Sequence, residues 1–289
     1  MSTPIKGLIA LLRLPYWMMS GGLAVLTAFA ITHELFNLTT VLLVFFSMSL
    51  ITSAGFAVND YFDRESDAII KPKRPIPAGA LSLKQVAATA VILFDAGLVL
   101  ATLINWLNFI ILAVDAVLLL LYSAFVKRRS GFAANVLVGL LVGTAFLYGE
   151  AAVSKTISIS LSLYPIACGT IGGNILRDIL SLDGDSKVGY PTLPQQIGSS
   201  KSAKVAAGFF TITGVFAPLP YVLGKFSIWY LLPIMVWSVL LIYSSARLVT
   251  MEVTLANVRR YERLITMSMM LLPLSLILEA FSSLIGGFL

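Results

Sequence analysis

Residues 39–58 read TTVLLVFFSMSLITSAGFAV, and residues 59–67 continue directly as NDYFDRESD. The first stretch is apolar and has the length of about 20 residues that an α-helix needs to cross a membrane. The second stretch places four carboxylates at the end of that span. This junction predicts a membrane helix that carries a polar, chemically active end.

Further apolar runs of similar length fill most of the 289-residue chain. Of its residues 58% are hydrophobic and only 12% are charged, against about 25% charged residues in soluble proteins. We therefore predict an all-α, polytopic membrane bundle that forms one domain over residues 1–289. Its nine spans are predicted at 14–33, 39–58, 85–104, 106–126, 132–152, 157–180, 205–224, 227–248 and 264–287.

The positive charges predict the orientation of these spans. Eighteen of the 20 Lys and Arg residues fall before span 1 or in every second connection, and only Lys155 and Lys225 fall in the others. Because Lys and Arg are retained in cytoplasmic loops, the N-terminus is predicted to be cytoplasmic. The two long connections, between spans 2 and 3 and between spans 6 and 7, then lie on the cytoplasmic side.

Two residue types exclude some kinds of site. The chain has one cysteine, Cys168, and one histidine, His33. It can therefore form neither a disulfide framework nor a metal site built from cysteine or histidine. Any bound metal must be held by oxygen ligands.

Asn59, Asp63 and Asp67 follow one another at steps of four residues after span 2. At about 100° per residue, they line one face of a helix that continues the span. The same geometry points Asp60 and Glu65 elsewhere.

A second polar row lies at the predicted cytoplasmic end of span 6. Asn174, Asp178, Ser181 and Asp185 share one helix face at spacings of four, three and four. Both rows precede similar basic, proline-containing segments, at residues 74–88 and 191–207, which indicates a faint internal repeat.

Two facing rows of carboxylate and amide oxygens suit Mg²⁺, which prefers hard oxygen ligands and is often completed by phosphates. Basic side chains near the rows could neutralise further phosphate oxygens. These are Lys71, Lys73, Arg74, Lys127, Arg128 and Arg177. The pattern favours a diphosphate as the ligand; the alternative is solvated helix ends with lysines that only set the topology.

Three segments resemble signatures of the UbiA superfamily of intramembrane prenyltransferases. Residues 59–79 (NDYFDRESDAIIKPKRPIPAG) resemble its first signature. Residues 122–128 with Asn135 resemble its middle segment, and residues 177–194 (RDILSLDGDSKVGYPTLP) its second signature. The chain departs from the family at Ser181, where an acidic residue is common, and at Asn174, where archaeal lipid enzymes often have Glu.

The resemblance implies an Mg²⁺-dependent prenyltransferase in the cell membrane, with its active site on the cytoplasmic side. It implies catalytic roles for Asp63, Asp67, Asp178 and Asp185, and metal binding by these four with Asn59. The diphosphate-binding residues implied by position are Arg13, Lys71, Arg74, Lys127 and Arg177. The aromatic candidates for the isoprenyl pocket are Tyr61, Phe62, Tyr122, Phe125 and Tyr148.

The donor implied is a polyprenyl diphosphate, and the similarity is greatest to the archaeal branch, which joins a geranylgeranyl group to geranylgeranylglyceryl phosphate. The alternative within the family is an aromatic acceptor of quinone synthesis, a hydroxybenzoate or a naphthoate. No nucleic acid and no protein partner is implied.

A transporter is the alternative from another class, with Asp95 and Asp115 in spans 3 and 4 sharing a proton. Such a transporter would not need the two cytoplasmic rows.

At the opposite membrane face, Glu150 and Lys155 are expected to form a surface pair.

Overall fold

The computed structural model describes residues 4–33 and 37–283. Over these residues every regular element is helical, which confirms the predicted all-α class. The α-helices of five or more residues are α1 (Pro4–Leu12), α2 (Leu23–Thr32), α3 (Leu38–Phe62), α4 (Arg64–Ile70), α5 (Leu83–Thr102), α6 (Trp106–Leu121), α7 (Gly131–Ser154), α8 (Cys168–Leu180), α9 (Leu182–Lys187), α10 (Leu193–Ile197), α11 (Ser199–Phe216), α12 (Ile228–Thr250), α13 (Leu255–Ser268) and α14 (Leu271–Ala280). Shorter helical turns lie at Pro15–Trp17, Met18–Gly22, Tyr122–Val126, Lys127–Arg129, Ser160–Ser162, Tyr164–Ala167 and Leu219–Val222.

Eight helical stretches of the described residues are long and apolar enough to cross a membrane. They are Pro4–Thr32, Leu38–Phe62, Leu83–Thr102, Trp106–Arg129, Gly131–Ser154, Ser199–Val222, Ile228–Thr250 and Leu255–Ala280. Each overlaps one predicted span. The first begins ten residues earlier than the sequence suggested, and residues 284–287 of the last predicted span lie outside the described residues.

Segment 157–180, which was predicted as one membrane span, does not fold as one continuous helix. It folds as two 3₁₀ turns followed by α8, which has 13 residues. Pro165 has no backbone N–H to donate, so a regular α-helical ladder forms only beyond it. This segment, the sixth of the predicted spans, is therefore helical in pieces, and each piece is too short to cross a membrane alone.

Polar side chains cap the N-termini of several long helices. The hydroxyl of Ser82 accepts from the backbone N–H of Gln85, whose side chain accepts from the N–H of Ser82. Capping of this kind satisfies N–H groups that lack partners in the first helical turn. Other side chains that accept a hydrogen bond at a helix start are Asn37, Asn105, Ser130, Ser227 and Thr254.

Glu150 near the end of α7 is not the surface partner of Lys155 that the sequence suggested. Its side chain is 1% exposed and accepts hydrogen bonds from the N–H groups of Ile159 (3.0 Å) and Ser160 (2.8 Å). The hydroxyls of Ser158 and Ser160 donate to it as well. The turn after α7 supplies donors that have no helical partner, and a carboxylate that accepts them is stable when buried.

The helices pack as two halves around a common interior. In the first half α3 packs on α5 and α6 on α7; in the second, α11 packs on α8 and α12. The halves join where α7 meets α8 and where α14 packs against α2. The junctions α3–α4 and α8–α9 carry the two polar rows.

Candidate active site

The first row lies where α3 passes into α4. The backbone N–H groups of Asp63 and Asp67 still bond to carbonyls four residues back, at 2.9 Å and 2.8 Å. The helical path therefore bends at Asp63 without stopping. The two side chains are 5% and 4% exposed and face the bundle interior.

Asp60 also faces this interior, which corrects the expectation that it points away. It is 3% exposed, and its Oδ1 accepts hydrogen bonds from Arg13 Nη2 and Arg74 Nη1, both at 2.5 Å. Arg74 Nη1 also donates to Asp67 Oδ2 at 2.7 Å. The helical wheel gave the wrong direction for Asp60 because both arginines come from other segments of the chain. A buried carboxylate is stable where such cations form ion pairs with it.

Arg13 reaches Asp60 because the helix breaks after α1. Arg13 has a φ of 49°, a left-handed conformation that carries an energetic cost for residues other than glycine. The carbonyl of Leu12 at the break accepts from Ser53 Oγ at 2.8 Å and from Trp17 Nε1 at 3.3 Å. These contacts stabilise the break and aim the guanidinium inward.

Arg74 belongs to the long connection between α4 and α5. The carbonyl of Pro75 accepts from the N–H of Ala80 at 2.9 Å, which closes a compact turn. Gly79 in this turn has a φ of 67°, which glycine adopts without a Cβ clash. The turn holds Arg74 against the first row. Lys71, which was predicted to bind the diphosphate, is exposed at the rim of the site.

Asp63 is held from two further directions. Lys127, in the turn after α6, forms an ion pair with Asp63 Oδ2. Tyr190, between α9 and α10, donates to Asp63 Oδ1 at 2.7 Å and shares a hydrogen bond with Ser66 Oγ at 2.7 Å. The Lys127 ammonium also lies 4.9 Å from the centre of the Tyr190 ring.

Tyr190 is a site residue that sequence reasoning missed. The available signal was its position directly before Pro191, the first residue of the segment that resembles residues 74–88. Burial raises the pKa of the Tyr190 hydroxyl, and the charge of Asp63 raises it further. Tyr190 therefore stays protonated and remains a hydrogen-bond donor at neutral pH.

The segment around Tyr190 is fixed against the start of α7. The N–H of Gly131 donates to the carbonyl of Pro191 at 2.9 Å. A Cβ at Gly131 would lie 2.8 Å from the Cα of Thr192, so only glycine permits this approach. The close approach holds the second long connection over the first row.

The second row repeats the plan of the first with less burial. Its joint, Ser181, has φ −104° and ψ 7°, close to φ −86° and ψ 2° at Asp63. Asp178 Oδ2 accepts from Asn135 Nδ2 at 2.7 Å, and Asp185 Oδ2 accepts from Ser181 Oγ at 2.6 Å. In each half an aspartate, Asp67 or Asp185, stands four residues after the joint.

Arg177 does not join the buried network of the first row. It donates to Asn174 Oδ1 at 2.9 Å and to Glu262 Oε1 on α13 at 3.4 Å. Its side chain is 54% exposed. Arg177 therefore lies at the rim of the site, between the second row and α13.

The side-chain oxygen of Asn59 is a candidate ligand for a cation. Its Oδ1 is buried and has no hydrogen-bond partner, which is rare for a buried acceptor. Across residues 4–33 and 37–283, no three His, Cys, Asp or Glu side chains converge as a metal-binding group. Mg²⁺ needs no such cage, because it commonly uses one or two carboxylates and completes its shell with water and phosphate. Oxygen-only rows with an unsatisfied Asn59 carbonyl fit that mode of binding.

An open groove of about 410 Å³ runs between α3, α5 and α6. Tyr61 and Phe62 line its end next to the first row. Further along, its walls include Phe94 and Leu98, and Asp95 is the one charged side chain among the lining residues described.

The other three aromatic candidates are placed differently. Tyr122 is half-buried at the start of the helical turn that follows α6. Tyr148 is fully buried and hydrogen bonded in the interior, so it packs the core and leaves no surface for a ligand. Phe125 is 56% exposed and contributes no enclosing wall.

Asp95 and Asp115 do not form the shared proton site considered above. Asp115 is 2% exposed and accepts from Thr144 Oγ1 at 2.7 Å. Asp95 is exposed on α5, and no hydrogen bond among the described residues joins the two.

Residues 20–272 match the UbiA prenyltransferase family. The digeranylgeranylglyceryl phosphate synthase of Natronomonas pharaonis is 40% identical over 228 residues, which cover 78% of this chain and 82% of that protein. The synthase of the same name from Methanocaldococcus jannaschii is 34% identical over 72% of both chains.

Solved structures agree with this match. A digeranylgeranylglyceryl phosphate synthase superposes with a TM-score of 0.84 at 29% identity, covering 96% of this chain and 99% of that one. A UbiA homologue from Archaeoglobus fulgidus bound to GPP and Mg²⁺ shares the fold, with a TM-score of 0.70 at 18% identity over 92% of this chain and 99% of that one. Sequence and fold together place this multi-pass membrane protein, an enzyme that transfers prenyl groups, in the UbiA prenyltransferase family.

Proposed function

We propose that this prenyltransferase transfers a geranylgeranyl group from geranylgeranyl diphosphate to geranylgeranylglyceryl phosphate, in archaeal ether lipid synthesis. The observation that carries the proposal is a buried carboxylate and arginine network at the end of an apolar groove. The 40% identity to a synthase of that name supports this acceptor over an aromatic one.

The charged groups divide into those that bind the diphosphate and those that orient them. Arg13, Arg74 and Lys127 bind the diphosphate oxygens, assisted by Lys71 and Arg177 at the rim. Each guanidinium has five N–H donors, so both arginines keep donors free after pairing with aspartate. Asn59, Asp63 and Asp67 would hold one Mg²⁺, and Asp178 and Asp185 a second; when bound, these ions would supply positive charge that stabilises the departing diphosphate.

Asp60 acts in this scheme as a positioning residue. It receives both Arg13 and Arg74 on one oxygen, Oδ1, and so holds the two guanidiniums side by side. Two fixed cations next to the leaving group stabilise its charge without rearrangement during the reaction.

The groove receives the prenyl chain. As the bond between the prenyl carbon and the diphosphate oxygen breaks, its electron pair leaves with the diphosphate and positive charge develops on the chain. The ring faces of Tyr61 and Phe62 favour that charge, and the apolar walls exclude water from it. The acceptor hydroxyl oxygen then bonds to the same carbon, and the hydroxyl proton passes to the released diphosphate, which leaves an ether.

We also propose nine membrane crossings, with a cytoplasmic N-terminus and a cytoplasmic active site. Gly131 at the start of α7 contacts Pro191, while Glu150 near its other end contacts Ser160. Since α7 spans 24 residues, the chain between Ser160 and Pro191 must return along its whole length. This return supports segment 157–180 as a membrane crossing in addition to the eight long helical stretches.

Product analysis tests the proposed reaction. Purified protein in detergent is given Mg²⁺, labelled geranylgeranyl diphosphate and either geranylgeranylglyceryl phosphate or 4-hydroxybenzoate. We expect a diether product from the first acceptor only, and none with EDTA. Asp63→Asn should lower turnover by about 10²-fold or more, whereas the exposed Asp183→Asn should not.

Other outcomes identify which part of the proposal is wrong. Alkylation of the ring would move the enzyme to quinone synthesis. If neither acceptor reacts and no diphosphate is released with Mg²⁺, the proposed reaction is rejected.

A further inference from the structure

Two arginines flank the aromatic residues at the end of the groove next to the first row. The Cζ of Arg64 lies 5.7 Å from the ring centre of Tyr61, and the Cζ of Arg128 lies 5.9 Å from the ring centre of Phe62. The two rings meet edge to face, with their centres 5.5 Å apart. The four side chains therefore form one continuous cluster, with a cation at each end and the groove lining in the middle.

The backbone of α3 fixes both arginines in place. Arg64 Nη1 donates to the carbonyl of Tyr61 at 3.2 Å, and Arg128 Nη2 donates to the carbonyl of Phe62 at 2.9 Å. These are the last two carbonyls of α3, where a helix lacks donors of its own and attracts cations. Because the two carbonyls are consecutive, they hold two guanidiniums from different segments near one another.

Both arginines keep donors for a ligand. Each guanidinium has five N–H donors. Arg64 uses one more of them for Glu65 Oε1, at 3.2 Å, while Arg128 forms no ion pair with a carboxylate in the described part of the chain. The Arg64 side chain is 36% exposed, and Arg128 is exposed as well. Fixed, accessible guanidiniums with unused donors are suited to a phosphate group.

This pair is separate from the buried network of the first row. That network joins Arg13, Arg74 and Lys127 to three aspartates, and it is the part of the site proposed to bind the donor diphosphate. Arg64 and Arg128 form no ion pair with those aspartates. Their free donors are therefore available to a second anionic group.

The proposed acceptor requires a second phosphate site at this end of the groove. Its glycerol carries the prenyl ether on one carbon and the phosphate on another, so the hydroxyl that reacts is at most two carbons from the phosphate. That hydroxyl must reach the prenyl carbon where the groove meets the first row. The acceptor phosphate must then lie close to Tyr61 and Phe62, which line that end.

We propose that Arg64 and Arg128 bind the phosphate of the acceptor and so select a phosphorylated glycerol lipid over an uncharged one. The inference rests on the proposed function, because it names the acceptor site of that reaction. Two cations match a phosphate monoester, which carries about two negative charges at neutral pH. A phosphate held by fixed groups also orients the neighbouring hydroxyl toward the prenyl carbon.

Kinetics with a matched pair of acceptors tests the site. The full chain in detergent, with Mg²⁺ and saturating geranylgeranyl diphosphate, is given either geranylgeranylglyceryl phosphate or geranylgeranylglycerol, the same lipid without its phosphate. The variants are Arg64→Gln and Arg128→Gln. The control is Arg129→Gln, at an exposed neighbour that neither bonds to the two carbonyls nor stacks on the two rings.

We expect each variant to lower kcat/KM for the phosphorylated acceptor about tenfold or more, as the loss of one charge-assisted hydrogen bond does. The uncharged acceptor should behave as it does with the wild type, either as a substrate or, if it does not react, as an inhibitor. The KM for geranylgeranyl diphosphate should not change. Arg129→Gln should match the wild type with both acceptors, and thermal unfolding establishes that each variant is folded.

Three results would overturn the inference. An equal loss with both acceptors would mean that the arginines act through the rings or the fold. A rise in the KM for geranylgeranyl diphosphate alone would mean that they bind the donor. Equal use of both acceptors by the wild type would exclude a phosphate site, and this readout stands even if a variant misfolds.

Failure of the proposed function gives a different result. If the wild type forms no diether from geranylgeranylglyceryl phosphate, the proposed function is wrong and the inference falls with it. A diether that forms at the wild-type rate in both arginine variants contradicts the inference alone.

Discussion

Tyr190 donates a hydrogen bond to Asp63, which is 127 positions earlier in the chain, at 2.7 Å. This contact joins the second long connection to the first polar row. It orients a carboxylate that is paired on its other oxygen with Lys127. The reactive end of the first half is thus completed by a side chain from the second half.

Replacement of Tyr190 tests this contact. Tyr190→Phe keeps the ring but removes the donor, so Asp63 is less well oriented toward a cation. We expect the Mg²⁺ concentration for half-maximal activity to rise about tenfold, a typical effect of losing a residue that orients a metal ligand. Tyr221→Phe, at an exposed tyrosine, should leave it unchanged; an equal rise in both variants would argue against a specific role.

Gly131 should act through the same contact. A methyl group in Gly131→Ala meets the backbone of Thr192 and pushes the Tyr190 segment away from α7. Activity should fall, and the double variant Gly131→Ala/Tyr190→Phe should lose less than the product of the two single effects, because both break one contact. Steady-state rates at one fixed, subsaturating Mg²⁺ concentration provide the comparison; full additivity would contradict the coupling.

Asp60 should contribute to stability as well as to positioning. Asp60→Ala leaves the largely buried guanidinium of Arg13 without a carboxylate and that of Arg74 with Asp67 alone. Loss of one member of a buried ion pair costs about 3–5 kcal/mol, so the unfolding temperature in detergent should fall clearly. Asp183→Ala is the exposed control, and equal melting of both variants would show that the network adds no stability.

Glu150 should stabilise the fold from the other end of the bundle. Glu150→Ala removes an acceptor for four donors in the turn after α7 and should cost about 1–3 kcal/mol of unfolding free energy. Thermal unfolding measures the loss, while the Mg²⁺ requirement should not change. Lys155→Gln should have no effect; a matching loss there would restore the surface pair that the sequence suggested.

The sequence carried the general architecture and the main elements of the site. Apolar runs of membrane-spanning length predicted eight of the helical stretches, because hydrocarbon forces backbone polar groups to bond within a helix. The four-residue spacing of Asn59, Asp63 and Asp67 placed one row on one helix face for the same local reason. These predictions need only the period of a helix.

Long-range contacts escaped the same reasoning. Asp60 was assigned to the wrong face because its two arginines approach from other segments, at 2.5 Å each. Tyr190 was missed, and Glu150 was given a surface partner, because their hydrogen-bond partners lie outside the helix to which a helical wheel applies. In each case the energy of a buried polar group depends on which distant donor meets it.

The sequence by itself therefore determined that this is a helical membrane protein with two oxygen-bearing rows beside basic segments. Local hydrophobicity and helical period fix those features residue by residue. Only the tertiary structure decided that Arg13, Arg74, Lys127 and Tyr190 converge on the first row, and that Asp95 has no partner within the described chain. Such pairings depend on how whole helices pack, and packing brings together residues that no local pattern relates.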